Sequence, residues 1–446
     1  MSSPRAGCLS FRFVIRRTRP ERRDSLKSGS VQQHALQANV TRFHSVTACS
    51  ALIQRTATEA SEQKASVFTA YSRNLKGKFL GLRSTDGQKE ITVMPHFKTF
   101  LLPKTFVIAA AFILSSVAVS IKAEGQSVQP SYKLSTFATS TAVFSQPDSI
   151  VRWKNSILVG YQNHVAKDGT DGKSSTIVQY SLNGKIQRMF SVKGHNDGLR
   201  IIGEDTLWAL QNEDANPNLA VIDLESGKQK VFFPAAPHGG GYDDMVVKDG
   251  RVFVTASNPN LDSAGNNDFP ALVTMSLDGD SVDVEPVLKG NAQATDIPTG
   301  APTTLNLTDP DSLTVDPRGN IVLNSQADGV LVFIRNPLSQ NRTVGHLSLS
   351  TASGPTTVDD TAFPATPQDF LLVSDVGAGV VYRIDSPEFG FEPGVPYSSS
   401  DTAGFVAVLN LDNGVLSPIG TGFNSTRGMI FVSPASDGGD EKHGDR

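Results

Sequence analysis

The stretch DGLRIIGEDTLWALQNEDANPNLAVIDLESGKQKVFF, residues 197–233, decides the fold. It contains four short apolar runs, GLRII, TLWALQN, LAVIDLE and KQKVFF, separated by Gly, Asn, Asp and Ser. Runs of this length and composition are typical of β-strands. Ser226-Gly227 lies between the last two runs and supplies the backbone conformation that a tight hairpin needs. The stretch therefore predicts one four-stranded antiparallel sheet.

Four more units of the same kind follow or precede it. They begin at Asp148, Asp244, Asp311 and Asp359-Asp360, at intervals of about 45–70 residues. The fifth unit reads FLLVSD (370–375), VVYRID (380–385), an insertion, then FVAVLNL (405–411) and VLSPIG (415–420). Four strands repeated at this period are typical of a β-propeller blade, whereas leucine-rich and ankyrin solenoids have shorter periods.

Strands outside the five units indicate how the ring closes. YKLSTFAT (132–139) precedes the units and GMIFVS (428–433) follows them. Joining these N- and C-terminal strands removes open sheet edges. We therefore predict an all-β propeller of six blades, the last assembled from both termini and the insertion of the fifth unit. A five-bladed propeller and a β-sandwich are the alternatives.

Charge divides the chain into segments with different roles. Residues 1–93 carry 16 Lys and Arg against 6 Asp and Glu, whereas the remainder carries 24 against 38. The basic segment is predicted to be disordered or to follow from a wrongly chosen start codon. The propeller spans 131–433, and residues 434–446 form a polar tail. The acidic balance of the chain after residue 93 argues against nucleic-acid binding, because nucleic-acid binding needs a clustered cationic face.

An export signal is predicted at 94–123. Lys98 and Lys104 precede the uncharged run TFVIAAAFILSSVAVSI (105–121), and two small-residue cleavage sites follow. This layout is that of a secretory signal peptide, so the mature protein is expected to be extracellular, or periplasmic in a bacterium, without a stable membrane span. A signal anchor is the alternative. Three N-x-S/T sequons, at Asn306, Asn341 and Asn424, would be glycosylation acceptors in a eukaryote.

Acidic and amide side chains recur where each unit's first strand begins. These loops converge on one mouth of a propeller's channel, so a ring of oxygen ligands for Ca²⁺ or another divalent cation is predicted there. No motif points to an organic cofactor. His195 and His238 occupy corresponding loops and could act as bases or ligand contacts, or could be structural. Turn capping is the alternative role for the aspartates. The candidate site residues are His195, Asn196, Asp197, His238 and Arg427 for substrate and Asp148, Asp244 and Asp311 for metal.

His195-Asn196-Asp197-Gly198 and the segment PDSLTVDPRGN (310–320) resemble the NDG and DG motifs of the SMP-30/gluconolactonase propellers, which are similar to NHL and TolB-like propellers. The resemblance implies that Asn196 binds substrate and that Asp311 is both metal ligand and catalytic base. It implies metal ligands also at the positions of Asp148, where the family has glutamate, and of Asp244, where the family has an Asn-Gly pair.

Two functions follow from these observations. The first is a secreted propeller that binds a small molecule, a divalent cation or an extracellular partner at the mouth of its channel. The second is a metal-dependent hydrolase of a lactone or similar ester. A covalent serine mechanism is not expected, because the chain has no G-x-S-x-G elbow.

Overall fold

The structure is a computed structural model that describes residues 125–434. All regular structure in this range is β-strand, as predicted. Within the same range, no helix has the length and apolar character needed to cross a bilayer. The predicted basic segment (1–93), the signal peptide (94–123) and all but the first residue of the polar tail (434–446) lie outside the described residues.

The first part of the fold is two short strands and three sheets of four consecutive antiparallel strands. The short strands are β1 (Ser127–Val128) and β2 (Lys133–Thr139). Blade 1 comprises β3 (Pro147–Trp153), β4 (Ser156–Tyr161), β5 (Ser174–Ser181) and β6 (Ile186–Lys193). Blade 2 comprises β7 (Asn196–Ile202), β8 (Thr206–Gln211), β9 (Asn218–Asp223) and β10 (Gln229–Phe232). Blade 3 comprises β11 (Gly241–Lys248), β12 (Arg251–Ser257), β13 (Pro270–Asp278) and β14 (Ser281–Lys289).

Blade 4 has two additional strands at its outer edge. The order in the sheet is β16-β15-β20-β19-β18-β17, and β15 pairs with β20 in parallel. The strands are β15 (Gln293–Asp296), β16 (Pro302–Thr304), β17 (Pro310–Val315), β18 (Ile321–Ser325), β19 (Val330–Arg335) and β20 (Thr343–Ser348). A separate small hairpin follows, formed by β21 (Ser350–Thr351) and β22 (Gly354–Pro355).

Blades 5 and 6 are interlaced in sequence. The strands are β23 (Thr361–Ala362), β24 (Phe370–Asp375), β25 (Val380–Asp385), β26 (Tyr397–Ser400), β27 (Phe405–Leu409), β28 (Leu416–Thr421) and β29 (Thr426–Val432). Blade 5 has the order β23-β26-β27-β28-β1, and blade 6 the order β29-β24-β25-β2. After β23, the inner strand of blade 5, the chain forms β24 and β25 in the middle of blade 6. It then returns to blade 5 with β26.

The six-bladed prediction is confirmed, and both termini contribute to the last blade. The assignment of 370–375 and 380–385 to the fifth unit is wrong, because β24 pairs with β29 in blade 6 rather than with β23. Hydrogen bonding decides this point. A hairpin carries the same strand and turn pattern whichever inner strand it joins, so its sequence does not specify the blade.

Apolar side chains fill the spaces between neighbouring blades. The described residues form six buried hydrophobic clusters, and each cluster draws on two adjacent sheets. Trp153 belongs to the cluster between blades 1 and 2, and Trp208 belongs to the cluster between blades 2 and 3. Burial is the dominant favourable term in folding, so these interfaces hold the ring together.

Candidate functional site

A cavity of about 60 Å³ lies where the inner strands begin, and two successive residues from every blade line it. The first residues of these pairs form what we call the cavity ring: Asp148, Asp197, Asp243, Asp311, Asp359 and Arg427. The second residues form the linking ring: Ser149, Gly198, Asp244, Ser312, Asp360 and Gly428. Lys167, Glu213 and Gln326 complete the lining. The recurrence of acidic residues at strand starts thus does place them together at one end of the channel.

A β-bulge explains why two consecutive residues face the same cavity. In blade 1, residues 148 and 149 lie opposite the single residue 160, since the pairing shifts between Pro147 and Ile150. The same shift occurs in blades 2, 3, 4 and 6. A bulge breaks the alternation of side chains along a strand and bends it. Each bulge therefore directs one side chain into the cavity and the next towards the neighbouring blade.

Side chains of the linking ring tie each inner strand to the next. Leu199 N donates to Ser149 Oγ at 3.1 Å, and Leu313 N donates to Asp244 Oδ2 at 2.9 Å. Met429 N donates to Asp360 Oδ2 at 2.7 Å. These bonds run from blades 2, 4 and 6 to blades 1, 3 and 5 respectively. Because a buried N–H without an acceptor is costly, the ring has a structural role.

Ser312 Oγ donates to Asp359 O in the next blade, and glycine is required at the two remaining places in the linking ring. A Cβ atom at Gly198 would overlap the carbonyl oxygen of Asp243, and one at Gly428 would lie 2.5 Å from the carbonyl oxygen of Asp148. Both contacts are with backbone atoms, which cannot rotate away. The neighbouring inner strands therefore approach each other too closely for any side chain.

The cavity ring is acidic except at blade 6. Arg427 Nη1 lies 3.3 Å from Asp148 Oδ2, and the Gln162 amide also donates to that oxygen. Gln326 Nε2 donates to Asp359 Oδ1 at 3.0 Å. Eight acidic side chains but only two basic ones, Lys167 and Arg427, line the cavity. A site with this balance favours a cation.

Burial raises the pKa of most carboxyl groups in the cavity ring. For Asp197, Asp243 and Asp311 the pKa is raised well above its ordinary value, by burial first and by neighbouring acidic groups second. Burial also raises the pKa of Asp359 and of Asp148, against the opposing effect of Arg427. Protons would compete with a cation for these groups.

One cluster, which includes the cavity residues Asp197 and Glu213, has the composition of a metal site. Atoms of His195, Asp197 and Glu213 that could each bind a metal lie within 4.8 Å of one another. His195 Nδ1 lies 2.7 Å from Val165 O. A carbonyl oxygen only accepts, so Nδ1 carries the hydrogen, and Nε2 of the neutral ring is a free lone pair. It lies 3.3 Å from Asp197 Oδ1, another acceptor.

Buried acceptors in this cluster have no donor. His195 and Asp197 are each 4% exposed, and neither His195 Nε2 nor Asp197 Oδ2 makes a hydrogen bond. Glu213 Oε1 forms an ion pair with Lys167 but accepts no well-aligned hydrogen bond. Buried polar atoms are ordinarily satisfied. The residues present therefore fit a divalent cation, held by an imidazole and two carboxylates, with the Val165 carbonyl fixing the imidazole.

The predicted site residues divide into three groups. Asp148, Asp197, Asp311 and Arg427 belong to the cavity ring, whereas Asp244 belongs to the linking ring and accepts Leu313 N–H. His195 contributes to the cluster just described. His195 does not itself line the cavity, and neither do two others, since Asn196 Nδ2 donates to Leu210 O and His238 Nε2 pairs with Gly241 O. Asn196 and His238 therefore support strands and loops, and the structural alternative fits His238.

Some cavity residues were missed as candidates. Glu213 and Gln326 lie in the loops after second strands, which the sequence brings to this face, but nothing in their spacing separates them from turn residues. Asp243 precedes the chosen Asp244, and only the bulge determines which of the two faces the cavity. No sequence signal marks Lys167, because its position depends on how the loop between β4 and β5 packs.

None of the protein-family models matches the chain, and no curated protein matches it in sequence. Solved structures of similar fold include a virginiamycin B lyase from Staphylococcus aureus, with 12% identity and a TM-score of 0.39 over 64% of this chain and 87% of that chain. They also include the periplasmic gluconolactonase of Pseudomonas aeruginosa, with 12% identity and a TM-score of 0.37 over 64% and 88%. Proteins of the gluconolactonase type expected from the motifs are thus among the similar structures. The likeness is one of fold alone, and no argument about the site depends on it.

Proposed function

We propose that this propeller binds one divalent cation at the mouth of its channel, on His195, Asp197 and Glu213. The observation that carries the proposal is the pair of unpartnered acceptors, His195 Nε2 and Asp197 Oδ2, buried and close together. A cation would satisfy both at once, whereas a neutral ligand would have to supply two donors in a very small space.

The ligand types favour a transition metal over calcium. Ca²⁺ takes six to eight oxygen ligands, whereas imidazole suits Zn²⁺ and similar ions, with Mn²⁺ also compatible with carboxylates. The oxygen ring predicted from sequence is present, but the acceptors that lack partners include a nitrogen. We therefore propose Zn²⁺ or Mn²⁺ in preference to Ca²⁺.

The size of the cavity limits what else can enter. Its volume of about 60 Å³ holds roughly four water-sized species, since one such species needs about 10–15 Å³. Pockets for whole organic ligands measure about 300–1,000 Å³. A small molecule would therefore lie above the mouth and insert only one polar group beside the cation.

Cation binding is tested by thermal unfolding of the full chain with increasing Mn²⁺ or Zn²⁺. A ligand that binds only the folded state stabilises it, by about 2.7 kcal/mol at one hundred times Kd. We expect this stabilisation in the wild type and its loss in His195→Ala. His346→Ala is the matched control, because His346 lies on blade 4 beside Asp296 and outside the cavity. Equal cation responses in all three proteins would refute the site.

A second candidate function is hydrolysis of a lactone or similar ester. It is favoured by Asp311, a cavity carboxyl group whose pKa is raised well above its ordinary value by burial and by Asp243. Such a group can exchange a proton at a higher pH than an ordinary aspartate can. A cation there would polarise a carbonyl group. Turnover of lactones that disappears in Asp311→Asn, with cation binding retained, would support this function over binding alone.

We also propose that the propeller works outside the cell, or in the periplasm of a bacterium, on a small molecule or an extracellular partner. The support is the signal-peptide layout of 94–123. Export is tested by sequencing the N-terminus of the protein recovered from culture medium or periplasm.

A further inference from the structure

Lys167 is the basic residue nearest to the proposed cation ligands. Its Nζ forms an ion pair with Glu213 Oε1, the same oxygen that lacks a well-aligned hydrogen bond. The Glu213 side chain is 12% exposed, but that of Lys167 is 48% exposed. The ammonium group thus reaches into the cavity from outside, whereas the carboxylate is fixed within it.

The backbone around Lys167 is anchored, so only its side chain is free to move. Asp214 N donates to Lys167 O, and Asn216 Nδ2 donates to Asp168 O at 3.1 Å. Val165, two residues earlier, is buried and holds His195 through its carbonyl oxygen. A long flexible side chain on a fixed backbone can withdraw its charge into water at little cost.

Lys167 and a divalent cation on the proposed ligands would lie against the same carboxylate, Glu213. Like charges this close repel each other, and the repulsion is stronger in a buried site than in water. A bound cation would therefore oppose the Lys167–Glu213 ion pair.

We propose that Lys167 is a tethered competitor for the cation site, which lowers cation affinity and is expelled when a divalent cation binds. This inference rests on the proposed cation site. It assigns Lys167 a role in setting affinity and selectivity, because a weakly bound cation will not displace the ion pair. It also gives the chain an internal charge that neutralises Glu213 in the cation-free protein.

Affinity measurements test the sign of the effect. Calorimetric titration of the full chain with Mn²⁺ should give up to about fivefold tighter binding to Lys167→Met than to the wild type, since a partly exposed ion pair is worth about that factor. Lys167→Arg keeps the charge and should stay near the wild type. The matched control is Lys173→Met, because Lys173 lies on the same loop, pairs with Asp171 and is 60% exposed.

A purely structural role for Lys167 predicts the opposite result, because its removal would then weaken binding. Unchanged or weaker Mn²⁺ affinity in Lys167→Met therefore overturns the competitor role while leaving the cation site intact. Tight binding by the variant but none by the wild type would support it strongly. Absence of binding in all the proteins would instead refute the proposed function, and this inference with it.

Amine labelling provides a second measurement that needs no variant. Acetic anhydride modifies exposed lysines, and mass spectrometry reports the extent of modification at each position. Saturating Mn²⁺ should increase the labelling of Lys167 several-fold and leave Lys173 unchanged as the internal reference. No increase at Lys167, under conditions where Mn²⁺ binds, would contradict expulsion.

Discussion

Asp243 and Asp244 are adjacent in sequence but act in different parts of the molecule. Asp244 accepts the amide of Leu313 in the next blade, whereas the pKa of Asp243 is raised well above its ordinary value, by burial first and by Glu213 second. We expect Asp244→Ala to lower the free energy of unfolding by about 1–3 kcal/mol, because a buried N–H loses its acceptor. Chemical denaturation measures this effect.

The matched variant is Asp243→Ala. It should leave stability near or above that of the wild type, because it removes a buried carboxyl group crowded by other acids. Its Mn²⁺ affinity should fall. If Asp243→Ala were the more destabilised of the two, the separation into cavity and linking rings would be wrong.

Stability should depend on pH through Asp360. Burial raises the pKa of Asp360 to about 7 in the folded protein, so the folded state binds its proton more tightly than the unfolded chain. The resulting stability is present below the unfolded pKa of about 3.8 and is lost as pH rises to about 7, at most about 4 kcal/mol. Asp360→Asn cannot ionise, and it should become more stable relative to the wild type between pH 5 and 8. Parallel pH profiles would contradict the raised pKa.

Cation affinity should fall in acid. The carboxyl group of Asp197, a proposed ligand, holds its proton up to a higher pH than free aspartate, chiefly because it is buried. Protons therefore compete with the cation. We expect weaker Mn²⁺ binding at pH 5.5 than at pH 7.5, with protons released on binding, which calorimetry in buffers of different ionisation enthalpy detects. Affinity independent of pH would exclude Asp197 from the site.

The close approach of blades 2 and 3 should make Gly198→Ala destabilising. A methyl group there overlaps the Asp243 carbonyl, and overpacking costs about 1–3 kcal/mol. Gly125→Ala is the control, because no atom lies within 4 Å of the position that its Cβ would take. Thermal unfolding compares the two, and equal melting temperatures would show that the inner strands can separate without cost.

The N-terminus of the exported protein should fall close to the predicted cleavage sites. Signal peptidase cuts after a small residue, so we expect the mature chain to begin at Ile121 or Glu124. Edman sequencing or mass spectrometry of secreted material determines this. A product that retains residues 94–123 and stays in the membrane fraction would indicate the signal anchor instead.

The sequence predicted most of the fold because four strands with glycine turns recur in every unit. Gly227, predicted to supply a hairpin turn, has a φ of 74°, and Gly184 at the corresponding turn of blade 1 has a φ of 76°. The allocation of strands between the last two blades was wrong. β24 and β25 lie in blade 6, and β26, from the insertion that was predicted to help build the last blade, lies in blade 5. Strand pattern does not encode which sheet a hairpin joins. Asp148, Asp197 and Asp311 were likewise predicted as site residues, because acidic residues recur where the first strand of each unit begins. Lys167 and the choice between Asp243 and Asp244 depend on loop packing and on a bulge, which have no periodic signature.

Because the strands of blades 5 and 6 are interlaced in sequence, this propeller cannot gain or lose a single blade at its C-terminal end. In a propeller of consecutive sheets, one module can be gained or lost at a chain end while the others stay intact. Here no contiguous stretch contains all the strands of either of the last two sheets without strands of the other. The first strand, β1, lies at the outer edge of blade 5, and the last strand, β29, lies at the inner edge of blade 6. Fusion partners attached at either end of the domain would therefore emerge from neighbouring blades.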